Sequence, residues 1–130
     1  MNQQILELAT KIAADTALLN GVGVDLISAG EASGIDHKDL DPSIALSIDG
    51  NQIILWEFSE PSDSYDWPEE VVDLLDQFQD VIVRDLWVAW PQCPMHSHVL
   101  VPELEAREPK WRCPDDALLT ISLGGLNSQP

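Results

Sequence analysis

Two short tetrads in the C-terminal third hold the residues best suited to chemistry. Cys93-Pro94-Met95-His96 and Cys113-Pro114-Asp115-Asp116 each place a second potential metal donor three positions after a cysteine, and sixteen residues separate His96 from Cys113. A turn with two intervening residues lets both donor atoms reach one ion, and zinc accepts thiolate, imidazole and carboxylate in a tetrahedral shell. Two such turns give four ligands. The symmetry of the tetrads favours Cys93, His96, Cys113 and Asp116, while His98 competes with Asp116 as an alternative ligand. Four protein donors close the shell to a catalytic water, so the expected cofactor is structural zinc. Two simpler readings compete: ordinary reduced core cysteines, or a Cys93–Cys113 disulfide. Neither explains why two of the three histidines stand at i and i+2 beside a cysteine. The third, His37, precedes Lys38 in a polar loop and is expected to be exposed without a role.

The repeated Cys-Pro knuckles, Trp111 two residues before the second cysteine, and the apolar run Val99-Leu100-Val101 together resemble zinc ribbons. In that family the knuckles project from two turns of a small β-hairpin module. The resemblance covers about residues 91–117 and implies ribbon strands at Val99–Val101 and around Trp111. The chain departs from the family in having two cysteines where common ribbons have four.

Other catalytic signatures fail on spacing. Adjacent acids such as Glu69-Glu70 and Asp115-Asp116 read as solvated surface, because general acid–base work requires one carboxyl with a raised pKa in a cleft. Gly21-Val22-Gly23 lacks the third glycine and following helix of a dinucleotide fingerprint. The serines at 28, 33 and 43 lack a nucleophile-elbow context, and neither cysteine belongs to a C-x-x-C redox pair. The aspartates between 36 and 41 lack the alternating ligands and terminal glutamate of an EF-hand.

Charge is the second strong signal. Six basic against 23 acidic residues give a formal charge of −17 over 130 residues, with a sequence pI near 4.1. Direct binding to nucleic-acid phosphates or anionic membranes is therefore disfavoured, since both recruit lysine and arginine. Residues 57–85 alone carry 10 acids and one base, a net −9 in less than a quarter of the chain. By contrast Arg107, Lys110 and Arg112, half of all the basic residues, cluster just before the second cysteine. A composition 45% hydrophobic separates this chain from disordered acidic tails, which lack the apolar residues for a core. No apolar run approaches membrane-spanning length, and Met1-Asn2-Gln3-Gln4 lacks the basic start of a signal peptide, so a cytoplasmic location is expected.

These groups need elements to position them. Ile5, Leu8, Ala9, Ile12, Thr16 and Leu19 recur at spacings of three and four, predicting a helix from about residue 3 to Asn20 with Asn20-Gly21 as its stop. Val22–Ile27 reads as a strand, and residues 30–42 as loop. Asp49-Gly50-Asn51-Gln52 lies between Ile44–Ile48 and Ile53–Phe58, a hairpin signal that places Ile54, Trp56 and Phe58 on one face. Trp67-Pro68-Glu69-Glu70 opens a second helix over about 68–88, with proline in the first turn and acids at the positive end of the dipole. Its apolar stripe is Val72, Leu75, Phe78, Ile82 and Leu86, opposite an acidic ridge of Glu69, Asp73, Asp76 and Asp80. The β-branched run Val81–Val83 offers a strand as a competing end to that helix. Trp87 and Trp90 are expected in the core beneath the metal module.

The expected architecture is α+β: an N-terminal helix, a small antiparallel sheet with a β-hairpin, a second helix, then a zinc-ribbon-like module. Residues 1–90 would form the acidic domain and 91–130 the metal-binding extension packed on it. The expected function is non-enzymatic: an acidic binding protein with a structural zinc site that docks a basic protein partner, of inhibitor, immunity-protein or nucleic-acid-mimic type. Glu69, Asp73, Asp76 and Asp80 would bind that partner. The alternative is a metal-dependent enzyme that uses the Cys/His cluster with an open coordination position.

Overall fold

The computed structural model describes residues 3–17, 19–27, 43–58, 64–93, 95, 98–116 and 119–126. The 30–42 loop, and with it His37, lies outside these residues. The chain is α+β: α1 (Gln3–Thr16), β1 (Val22–Ile27), β2 (Ser43–Ile48), β3 (Asn51–Trp56), α2 (Trp67–Leu86), β4 (Val101–Glu105), β5 (Glu108–Arg112) and β6 (Thr120–Ser122). The strands form two three-stranded antiparallel sheets, ordered β1-β2-β3 and β4-β5-β6.

Helix α1 buries Ile5, Leu8, Ala9, Ile12 and Thr16, the stripe read from spacing, but it ends at Thr16. The Thr16 hydroxyl donates to the carbonyls of Ile12 and Ala13, and the Leu19 N–H closes on Thr16 O at 2.9 Å. This local bonding replaces the next helical turn.

The hairpin turns more tightly than a four-residue connection. Asp49 and Gly50 take φ of 53° and 83°, the two positive values that a type I′ turn needs, and β3 already starts at Asn51. A register shift between Leu46 and Ser47 then sets Leu46 opposite Ile54 and Ile44 opposite Trp56. Ile54, Trp56 and Phe58 consequently pack against the core, while Ile53 and Leu55 are exposed.

Helix α2 runs unbroken through Val81–Val83, and both Val81 and Ile82 are buried. The buried face comprises Val71, Leu74, Leu75, Phe78, Gln79, Val81 and Ile82, so Val71 rather than Val72 leads the stripe. Glu69, Asp73, Asp76 and Asp80 are exposed, as their spacing requires. Trp87 departs from expectation. It caps the helix in the left-handed conformation (φ 57°, ψ 41°), donates its N–H to Val83 O, and is 92% exposed instead of buried. Trp90 does enter the core, edge-on to Trp111 at 5.3 Å.

One buried cluster joins α1, β2 and α2 to Trp90, Cys93, Leu100, Trp111, Cys113 and Ile121. Buried Gln79 secures this junction, its amide donating to Leu100 O at 2.6 Å and Trp90 O at 3.3 Å. No helix among the described residues is long and apolar enough to cross a membrane.

Candidate metal centre

Strand pairing explains how the donors meet. Gln92 bridges Val99 in antiparallel register, and Leu100 N–H donates to Pro91 O at 2.7 Å. The next pair inward is Cys93 and His98, joined by Cys93 N–H to His98 O at 3.0 Å. Residues directly opposite in such a pair project to the same face. On the other side, Val101 pairs with Arg112, which continues to Leu100 opposite Cys113. His98 and Leu100 are two apart, so Cys93, His98 and Cys113 share one face.

The donor atoms of these three residues lie within 4.8 Å of one another, a cluster that could hold a metal ion. His98 Nε2 is 3.1 Å from Cys113 Sγ. In a tetrahedral zinc shell the sulfur–nitrogen separation is about 3.6 Å and sulfur–sulfur about 3.8 Å, from bond lengths of about 2.3 and 2.05 Å. Admitting an ion therefore requires the His98–Cys113 contact to open by only about half an ångström. Both cysteines are buried, and no disulfide joins them.

The remaining tetrad residues take different positions. Asp115 Oδ2 lies 3.2 Å from His98 Nδ1. Asp116 is exposed and accepts the Leu119 N–H with its backbone carbonyl at 3.0 Å. The second knuckle is closed by Cys113 N–H to Leu119 O, also 3.0 Å. His96 lies outside the described residues.

Cys113, His98 and Asp115 form the order thiol–imidazole–carboxylate, which also serves nucleophilic catalysis. Burial argues against that use, because Cys113 is 0% exposed and a substrate carbonyl cannot approach its sulfur. A second sulfur on the same face fits coordination better.

Behind the centre stands Asp15, a buried acid that spacing alone does not single out. Its Oδ2 accepts Trp111 Nε1–H at 3.1 Å and Gly124 N–H at 2.8 Å, and its Oδ1 accepts Leu126 N–H at 3.2 Å. Its backbone carbonyl accepts Trp90 Nε1–H at 3.0 Å. Burial raises the Asp15 carboxyl above its usual 3.8, opposed by the hydrogen bonds from Gly124, Trp111 and Leu126. The one available signal was its place between Ile12 and Thr16 on the apolar stripe.

Fold and site together define an α+β protein in which two buried cysteines and the half-buried His98 form a cluster that could hold a metal ion. No protein-family model, curated protein or solved structure matches the chain, so functional inference rests on this geometry.

Proposed function

We propose that the protein is a non-enzymatic acidic binding protein whose C-terminal part, residues 91–130, is a zinc-ribbon-like extension stapled by structural zinc. The convergence of Cys93, His98 and Cys113 on one face carries this reading. Two thiolates and an imidazole are a donor set that suits zinc rather than calcium or magnesium, which take oxygen ligands. His96 and Asp116 compete for the fourth position. The test is zinc titration of the full chain followed by metal analysis after dialysis. One tightly held zinc per chain, lost in Cys113→Ser, is expected; no retained zinc overturns the reading.

The partner surface is the exposed face of α2. At 3.6 residues per turn, positions 69, 73, 76 and 80 fall within about 60° of one another around the helix axis, and the exposed Trp87 caps the end of the same helix. Four carboxylates thus lead to an exposed tryptophan, a residue type that commonly anchors interfaces. A folded basic protein with an apolar pocket beside its positive surface is the complementary shape, as an inhibitor, immunity protein or nucleic-acid mimic would require. Partners retained from lysate at low salt, released at high salt and identified should be lost with Asp73→Lys and Asp76→Lys. Retention unchanged by these reversals removes the assignment.

One observation favours the metal-dependent enzyme as a second reading: the cluster of described residues contains three donors, the number that catalytic zinc sites use. A cobalt-loaded sample discriminates, since an exchangeable water ligand belongs only to the enzyme.

A further inference from the structure

We propose that Asp115 is a positioning residue for the metal centre, its carboxylate fixing the His98 imidazole in the tautomer that offers Nε2 to zinc. The inference rests on the metal reading above and adds an outer group to it. A neutral imidazole carries its proton on one nitrogen and can bind a metal only through the other. Here the two nitrogens face different chemistry: Nε2 lies 3.1 Å from Cys113 Sγ, and Nδ1 lies 3.2 Å from Asp115 Oδ2. An ionised carboxylate can only accept a hydrogen bond, so Nδ1 must carry the proton for this contact to be attractive. The opposite tautomer would set the Nδ1 lone pair against the carboxylate oxygen. Nε2 is thereby left with its lone pair facing the Cys113 sulfur, and the adjacent negative charge makes it a stronger donor.

The arrangement gives the second tetrad two jobs. Cys113 supplies a ligand, and Asp115, two residues on, orients a ligand that belongs to the other knuckle. The turn closed by Cys113 N–H to Leu119 O holds both on one loop. Coupling of this kind ties the knuckles together through the outer sphere as well as through the ion.

Losing such an outer partner typically weakens metal affinity by about 10- to 100-fold. Asp115 is 71% exposed at its side chain, so water screens part of its effect and the lower end, about tenfold, is expected. The experiment is zinc competition against a chromophoric chelator with the full chain and its Asp115→Ala, Asp115→Asn and Asp25→Asn variants. Asp25 is an exposed acid on β1, and its variant controls for loss of one negative charge. Asp115→Ala should bind about tenfold more weakly, Asp115→Asn should fall between it and wild type because the amide oxygen still accepts, and Asp25→Asn should match wild type. Nitrogen-detected NMR of the zinc-loaded imidazole supplies a readout that a merely structural role would not move: metal on Nε2 and a proton on Nδ1. Wild-type affinity in Asp115→Ala, or zinc on Nδ1, overturns the inference while leaving the metal centre intact. A wild-type chain that binds no zinc overturns the metal reading itself and this inference with it.

Discussion

Asp15 shows how much one residue can organise. Its side chain accepts three hydrogen bonds from Trp111, Gly124 and Leu126, and so ties α1 to β5, which leads into Cys113, and to the C-terminal segment. A buried donor left without its acceptor costs about 1–3 kcal/mol. Gly124 and Leu126 are only partly buried and can turn to water, so Asp15→Ala should lose about 3 kcal/mol in denaturant unfolding, most of it at the buried Trp111 indole. The pH dependence has a definite sign. Because the folded carboxyl is raised, the native state holds this proton to higher pH than the unfolded chain does. Its contribution is therefore fully present below 3.8 and is lost as pH rises through the folded value. The stability difference between wild type and Asp15→Asn should shrink as pH increases across that window; a difference that grows would show that hydrogen bonding outweighs burial. An acid on an apolar stripe is nearly invisible in sequence, since spacing cannot distinguish an inward carboxylate from an interruption of the stripe.

At the scale of elements, legibility followed the locality of the signal. The β2–β3 hairpin could be read because Asp49-Gly50 specifies its own turn. Helix α2 could be read from Pro68, its first-turn acids and its period. Its end could not be, because Leu86-Trp87 contains no stop residue and the left-handed cap is taken by a tryptophan. The meeting of Cys93 with His98 was partly legible: His98 stood as the alternative ligand, but counting along the chain pairs Cys93 with His96, whereas pairing across strands sets Cys93 opposite His98. The Trp87 cap carries a local cost in stability. A bulky residue at φ 57° is strained, and one so exposed recovers nothing by burial. Trp87→Gly should therefore raise thermal stability, by about 0.5–1 kcal/mol, since glycine adopts this conformation freely. It should also weaken the basic partner if the ridge docks one. Gln79→Leu should do the reverse, costing about 1–3 kcal/mol by stranding the Leu100 and Trp90 carbonyls while leaving the ridge intact.

For the whole molecule, the charge of −17 and metal binding at the proposed centre would act through separate physics. The formal charge counts both thiols as neutral, so coordination as thiolates adds two negative charges and zinc adds two positive ones. Zinc at Cys93, His98 and Cys113 would thus leave the net charge unchanged, and its stabilisation would come from binding the folded state alone. At free zinc of 100 times Kd that is about 2.7 kcal/mol. Self-repulsion among the carboxylates is instead long-ranged and screened by salt. The two effects can be separated by melting the chain with and without zinc across a range of salt. The Tm of the chelator-treated protein should climb with ionic strength, while the increment that zinc adds should stay nearly constant, because the charged ligands, the two cysteine sulfurs, are buried and poorly screened. Zinc held by the carboxylate ridge of α2 would behave oppositely, since neutralising exposed acids loses its value as salt takes over the screening. An increment that collapses in salt would therefore move the ion from the knuckles to the acidic face. It would also leave the close approach of two buried sulfurs and an imidazole as packing alone.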